Sequence, residues 1–213
     1  MAISGTPADV SVVPTSVVFD VGNVLVDWNP RAFYARHIAD PARLDRFLGE
    51  VATGEWHKQH DAGRDFVDTS AELIALFPEE EANIRLWGER FNEQVGPVLP
   101  GMAAIVADLA AAQVPLYAIT NYSHEFWPPF AAREAALLAP FRDILVSGEV
   151  KLIKPDPAIY ALALARFGLA PGEALFIDDR ADNIAAAEAR GFFGHVFHDA
   201  EKLRVVLGQY RLL

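Results

Sequence analysis

The stretch Ser16-Val17-Val18-Phe19-Asp20-Val21-Gly22-Asn23 decides how the rest of the chain is read. A short run of β-branched and aromatic residues suits a strand buried on both faces, and such strands belong to parallel sheets. The run ends on an acid, after which Gly22 and Asn23 turn the chain. An aspartate at the end of a buried strand points to a nucleophile or a metal ligand. Two positions further on, where a second acid could serve as proton donor, stands Gly22.

Composition sets the frame around this stretch. The 213 residues are 52% hydrophobic and 22% charged, enough for one core of ordinary size with or without a small satellite domain. No apolar run reaches the roughly 20 residues of a bilayer span; the valine-rich segment from Val10 to Val26 is cut by Pro14, Asp20 and Asn23. The N-terminus has no basic region followed by an apolar core, so no signal peptide is expected. The absence of cysteine excludes disulfides, zinc-thiolate sites and thiol catalysis, and a cytoplasmic location is expected. A formal net charge of -11 argues against nucleic acid or an anionic membrane as partner. An anionic substrate would have to be drawn in by local cations.

Along the chain, residues 1–15 are small, polar and proline-containing, and are expected to form a flexible arm. Residues 16–28 and 98–213 are expected to form an α/β core. There, helical patterns at 102–112, 157–167 and 183–190 alternate with strand patterns at 115–120, 141–146, 174–178 and 194–197. Residues 29–97 show helical periodicity alone, at 32–50, 65–76 and 79–94, which reads as an inserted helical cap domain. Strands alternating with helices imply a Rossmann-like parallel sheet with right-handed crossovers, whose ligands lie at the carboxyl ends of the strands.

Polar residues stand at those ends in order. The first strand leads to Asp20, the second to Thr120 and Asn121, the third to Lys154-Pro155-Asp156, and the fourth to Asp178-Asp179 with Asp182 one turn on. Each alone is ordinary capping or turn chemistry. All of them together, on one edge of a sheet, point to a site. Asp20, Asp178 and Asp179 gathered there would raise one another's pKa unless a cation sits among them. Oxygen ligands without His or Cys suit Mg2+. Mg2+ and Lys154 would neutralise a phosphoryl group, Thr120 would donate a hydrogen bond, and Asp20 would attack in line.

This ordered set resembles the haloacid dehalogenase superfamily, in the subfamily with a helical cap inserted after the first motif. The likeness is carried by FDVGNVLVD, by the strand ending in Thr120, by Lys154 in IKPDPAIY and by FIDDRADN. FDVGNVLVDWNP, TNYSHEFWP and FIDDRADNIAAA are most similar to bacterial phosphatases of sugar phosphates such as α-D-glucose 1-phosphate. The resemblance implies that Asp20 is the nucleophile and that Asp20, Asp179 and the Gly22 carbonyl bind Mg2+. It further implies that Thr120, Asn121 and Lys154 hold the phosphate of a small phosphorylated metabolite, with Asp178 and Asp182 or Asn183 as outer partners.

Gly22 is the departure, since most phosphatases of this superfamily use a second aspartate there as general acid and base. A good leaving group would make that acid dispensable, or a cap residue from GEWHKQHDAG could replace it: His57, His60 or Asp61. Two other readings share these residues. A 2-haloacid dehalogenase would use Asp20 without metal, although FIDDRADN keeps the acids a metal needs. A non-catalytic sugar-phosphate-binding protein would keep the pocket without turnover.

Overall fold

The computed structural model describes residues 13–213; residues 1–12 of the expected arm lie outside the described residues. The first strand, β1 (Ser16–Phe19), is wholly buried. A tight turn follows, in which Asn23 takes a positive φ of 56° and its side-chain oxygen accepts the Trp28 N–H at 3.0 Å. The turn leads into β2 (Val26–Trp28).

Helices fill the next segment. They are α1 (Pro30–Tyr34), α2 (Pro41–Arg46), α3 (Gly54–Asp61), α4 (Phe66–Leu76) and α5 (Glu81–Glu89). The single helix expected over 32–50 is broken. Pro41 has no N–H to continue a helix, and Asp40 caps a fresh one by accepting from the Ala42 N–H, so α2 starts there and runs into a π-helical turn at Phe47–Val51. A further helix, α3, is started by Thr53, whose hydroxyl accepts the Trp56 N–H. Its polar wording, GEWHKQHD, hides the apolar stripe by which helices are found in sequence. The segment is closed by β3 (Val95–Val98), which pairs antiparallel with β2, Val26 opposite Val98.

The rest of the chain is α6 (Met102–Ala111), β4 (Leu116–Thr120), α7 (Trp127–Arg133), α8 (Ala135–Leu138), β5 (Phe141–Val146), α9 (Ser147–Val150), α10 (Pro157–Phe167), β6 (Ala174–Asp178), α11 (Ala181–Glu188), β7 (Phe193–Val196) and α12 (Ala200–Gln209). Five strands form a parallel sheet in the order β5-β4-β1-β6-β7. The chain is therefore an α/β protein with a Rossmann-like sheet. The strand order reverses beside β1, the switch point at which such sheets open a crevice.

Alternation along β1 divides the apolar interior. Val17 and Phe19 face a cluster that also holds Phe33, Tyr34 and Trp87 from the helical segment, whereas Val18 faces a second cluster with Tyr160 and Phe176. The first cluster joins the helical segment to the sheet. Each fully buried side chain of this size contributes about 1.5–3 kcal/mol, so the joint is a strong one.

Candidate active site

Register brings the polar residues level. Phe19 lies beside Ala118 of β4 and Ile177 of β6, and the Asp20 N–H continues the ladder by donating to the Ile177 carbonyl at 2.8 Å. Asp20, Thr120 and Asp178 thus end neighbouring strands at one edge of the sheet. Lys154 enters from the loop between α9 and α10, and its ammonium lies 2.8 Å from Asp20 Oδ1 and 2.7 Å from Asp178 Oδ2.

The lysine is held by its own backbone. Asn121 Nδ2 donates to the Lys154 carbonyl at 3.0 Å, and the Lys154 N–H donates to Asn121 Oδ1 at 2.8 Å. Asp178, with no exposed surface, is fully engaged: besides Lys154 it accepts the Arg180 N–H at 2.9 Å and the Asn183 amide at 2.9 and 3.0 Å. Its place is to hold the lysine and the turn into α11. Asp20 Oδ1 takes the Val21 N–H at 2.7 Å as well as Lys154, which leaves Oδ2 for other work.

Burial dominates the electrostatics. It pushes the Asp20 carboxyl up to about 7, with Lys154 opposing and Asp178 adding to the rise. Burial works against the Lys154 charge, yet Asp20 and Asp178 outweigh it and keep the ammonium above its ordinary range. Asp179 is raised by burial first and by Asp178 second. Carboxylate oxygens of Asp20, Asp178 and Asp179 lie within 4.8 Å of one another. Crowded acids of this kind, all oxygen donors, fit a hard divalent cation that would draw their protons off. Because Asp178 is spent on its hydrogen bonds, Asp20 and Asp179 are the two of these three acids that face open space, and Gly22 lines the same space.

That space is a cavity of about 550 Å³. Asn121, Lys154 and Asp182 also line it, and Asp182 is paired with Arg180 at 2.6 Å. Thr120 is buried at the strand end, and neither it nor Asp178 nor Asn183 is among the lining residues. Trp28, Phe91 and Tyr122 form apolar wall, and Lys58 and Arg180 place cations beside Lys154 in a chain of net charge -11. Trp28, Lys58, Tyr122 and Arg180 stand inside the stretches quoted above, but nothing in their wording marks them as wall, and Phe91 lies outside those stretches. Their sidedness depends on how the helical segment sits on the sheet.

Of the histidines, His57 reaches the cavity, its ring between Trp28 and Phe91 at centroid distances of 5.3 and 5.6 Å. His60 does not. It has no exposed surface, and its Nε2 lies 2.7 Å from Thr69 Oγ1 inside the helical segment. Burial lowers both, to about 4 for His57 and about 3 for His60, so both are neutral near pH 7. Trp56 donates its indole N–H to the Thr69 carbonyl and, like Trp127, belongs to the core and not to the cavity wall.

Comparison with known proteins follows the same lines. The model of the haloacid dehalogenase-like hydrolase family matches residues 15–191. Phosphoglycolate phosphatase of Yersinia pseudotuberculosis is 30% identical over 190 residues, 82% of this chain and 77% of that protein. The phosphoglycolate phosphatase of Escherichia coli K12 is 28% identical over 198 residues, with the same shares covered. Among solved structures, a HAD-like hydrolase of Porphyromonas gingivalis superimposes with a TM-score of 0.69 at 19% identity, covering 92% of this chain and 97% of that one. A HAD family enzyme of Bacteroides thetaiotaomicron, solved with magnesium and inorganic phosphate, gives 0.68 at 16% identity, over 89% and 98%. The structural likenesses speak for the fold. The family match runs from Thr15 through α11, across every polar strand end described above, and with it the chain belongs to the haloacid dehalogenase-like hydrolases.

Proposed function

We propose that this hydrolase is a Mg2+-dependent phosphomonoesterase acting on a small phosphorylated metabolite, a sugar phosphate, through a phosphoaspartate formed on Asp20. The observation that carries the reading is Asp20 opening onto a cavity of about 550 Å³ beside Lys154 and Asp179. Cavities of that order suit small metabolites. Relatives named phosphatases support the reaction class, and the aromatic wall with polar groups beside it supports a sugar.

In this mechanism Asp20 attacks phosphorus in line, and the bond to the leaving oxygen breaks. Lys154 neutralises charge on the transferring group from a fixed position, because Asn121 and Asp178 hold its backbone and its ammonium. Asp20, Asp179 and the Gly22 backbone would hold Mg2+, which supplies further charge neutralisation at the phosphoryl oxygens. Water then releases phosphate from Asp20. The crowded acids at the sheet edge count against a metal-free dehalogenase, which has no use for Asp179. The cysteine-free composition is in keeping with work in the cytoplasm.

The test is phosphate release from an aryl phosphate with and without added Mg2+, in the wild type and in Asp20→Asn. Magnesium-dependent release that Asp20→Asn abolishes is expected. Unchanged release in Asp20→Asn, or halide release from 2-haloacids in the presence of chelator, would overturn the reading. A panel of anomeric sugar phosphates beside their 6-phosphate isomers then narrows the substrate.

A further inference from the structure

Gly22 leaves the leaving oxygen without a proton donor, and of the two cavity carboxyls that the mechanism above does not use, Asp182 is exposed and paired with Arg180 while Asp61 is buried. Asp61 ends α3 and lines the same cavity as Asp20 and Lys154. It is only 5% exposed, and its Oδ1 is buried with no hydrogen-bond partner. A buried carboxylate oxygen left without a partner costs stability, and such groups are kept where they work. The backbone of Asp61 is fixed from the sheet side. Ser147 Oγ donates to the Asp61 carbonyl at 2.6 Å and accepts the Tyr122 N–H at 3.0 Å, which ties the end of α3 to the loop after β4.

Resting on the phosphatase reading, we infer that Asp61 is the catalytic acid and base that Gly22 cannot be. In the first step Asp20 attacks phosphorus, the P–O bond to the leaving group breaks, and its electron pair takes the proton of the Asp61 carboxyl, giving an alcohol. In the second, the Asp61 carboxylate removes a proton from water as its oxygen attacks phosphorus. The bond from phosphorus to Asp20 breaks, and hydrogen phosphate, the Asp20 carboxylate and the Asp61 carboxyl are restored.

The surroundings suit both steps. The titratable groups facing Asp61 are His57 on its own helix, with Nε2 at 3.6 Å from Asp61 Oδ2, Lys154 from the loop after α9, and Tyr122 from the loop after β4. Burial pushes Asp61 up to about 7 with Lys154 opposing, so proton release and uptake both lie near neutral pH. His57, held near 4 by burial, has no proton to give there.

The experiment measures single-turnover phosphoryl transfer with Mg2+ for phosphate esters of graded leaving-group acidity, in the wild type, Asp61→Asn, Asp61→Glu and Asp20→Asn, with thermal melts confirming folded protein. Expected for Asp61→Asn is a loss that grows along the series to about 10²- to 10⁴-fold for alkyl esters, a steeper dependence on leaving-group acidity, and disappearance of the wild-type decline in alkyl-ester rate above about pH 7. Partial recovery in Asp61→Glu supports the same role. A loss equal for every ester, or an unaltered pH profile, would overturn the inference while leaving the phosphatase reading intact. Wild-type protein inert on every ester would overturn both.

Discussion

At Gly22 an added Cβ would meet only the Cβ of Trp28, at 3.7 Å, an ordinary contact, and the backbone there needs no positive φ. The missing acid is therefore not forced by crowding at Cβ. Asp61→Asn combined with Gly22→Asp is expected to regain at least about tenfold of the alkyl-ester rate that Asp61→Asn loses; rates no better than the single variant's would count against a shared task. The strand-end residues are legible in the sequence because each follows a short apolar run whose end can be read locally. Asp61 is legible only as one of three candidate acids, with His57 and His60, in GEWHKQHDAG. Choosing among them needs the docked helix: His60 and Asp61 are neighbours in the chain, yet one bonds Thr69 inside the helical segment and the other opens on the cavity.

The helix α3 concentrates opposed titrations. His57 and His60 are lowered to about 4 and about 3, so the folded state resists protonating them. Their contribution to stability is complete above the ordinary histidine value of 6.5 and is lost as pH falls toward those values. Asp61 has the other sign. Raised from 3.8 to about 7, it contributes most below 3.8 and loses that contribution as pH rises through 7. Chemical denaturation across pH should show His60→Gln losing less stability than wild type on acidification from 6.5. Asp61→Asn should gain on wild type, by a few kcal/mol, between about pH 4 and pH 8; parallel profiles would refute the assignment. The helix itself escapes periodicity because its buried face is built from Trp56, His60 and Asp61. The strands β2 and β3 escape it because 3- and 4-residue pairs are too short to show alternation.

Over the whole molecule, the helical segment meets the sheet and its flanking loops at a seam beside the site. Gly63 has a φ of +87°, and a Cβ there would stand 2.7 Å from the Gly148 carbonyl oxygen, just past the Ser147 hydroxyl that holds Asp61. Gly63→Ala is expected to cost about 1–3 kcal/mol from strained backbone and to lower alkyl-ester turnover more than its melting temperature alone explains. Full turnover at unchanged melting temperature would show that the seam yields freely. The α/β class and the helical character of the segment between β2 and β3 are legible in the sequence, since one rests on repeated alternation of strand and helix patterns and the other on helical periodicity. The seam is not, because it depends on close approaches between residues far apart in the chain, such as Gly63 with Gly148 and Asp61 with Ser147. The two apolar clusters described above lie on opposite faces of the sheet, and only one of them receives side chains from the helical segment. Phe176, whose ring lies under the Lys154 ammonium at 5.5 Å, and Tyr160, whose hydroxyl donates to the Asn183 carbonyl at 2.9 Å, belong to the other. A chimera carrying a different helical insert between β2 and β3 would leave the cluster of Tyr160 and Phe176 undisturbed, but would have to rebuild the packing of Val17 and Phe19 and would exchange Asp61 and the cavity wall that the insert supplies.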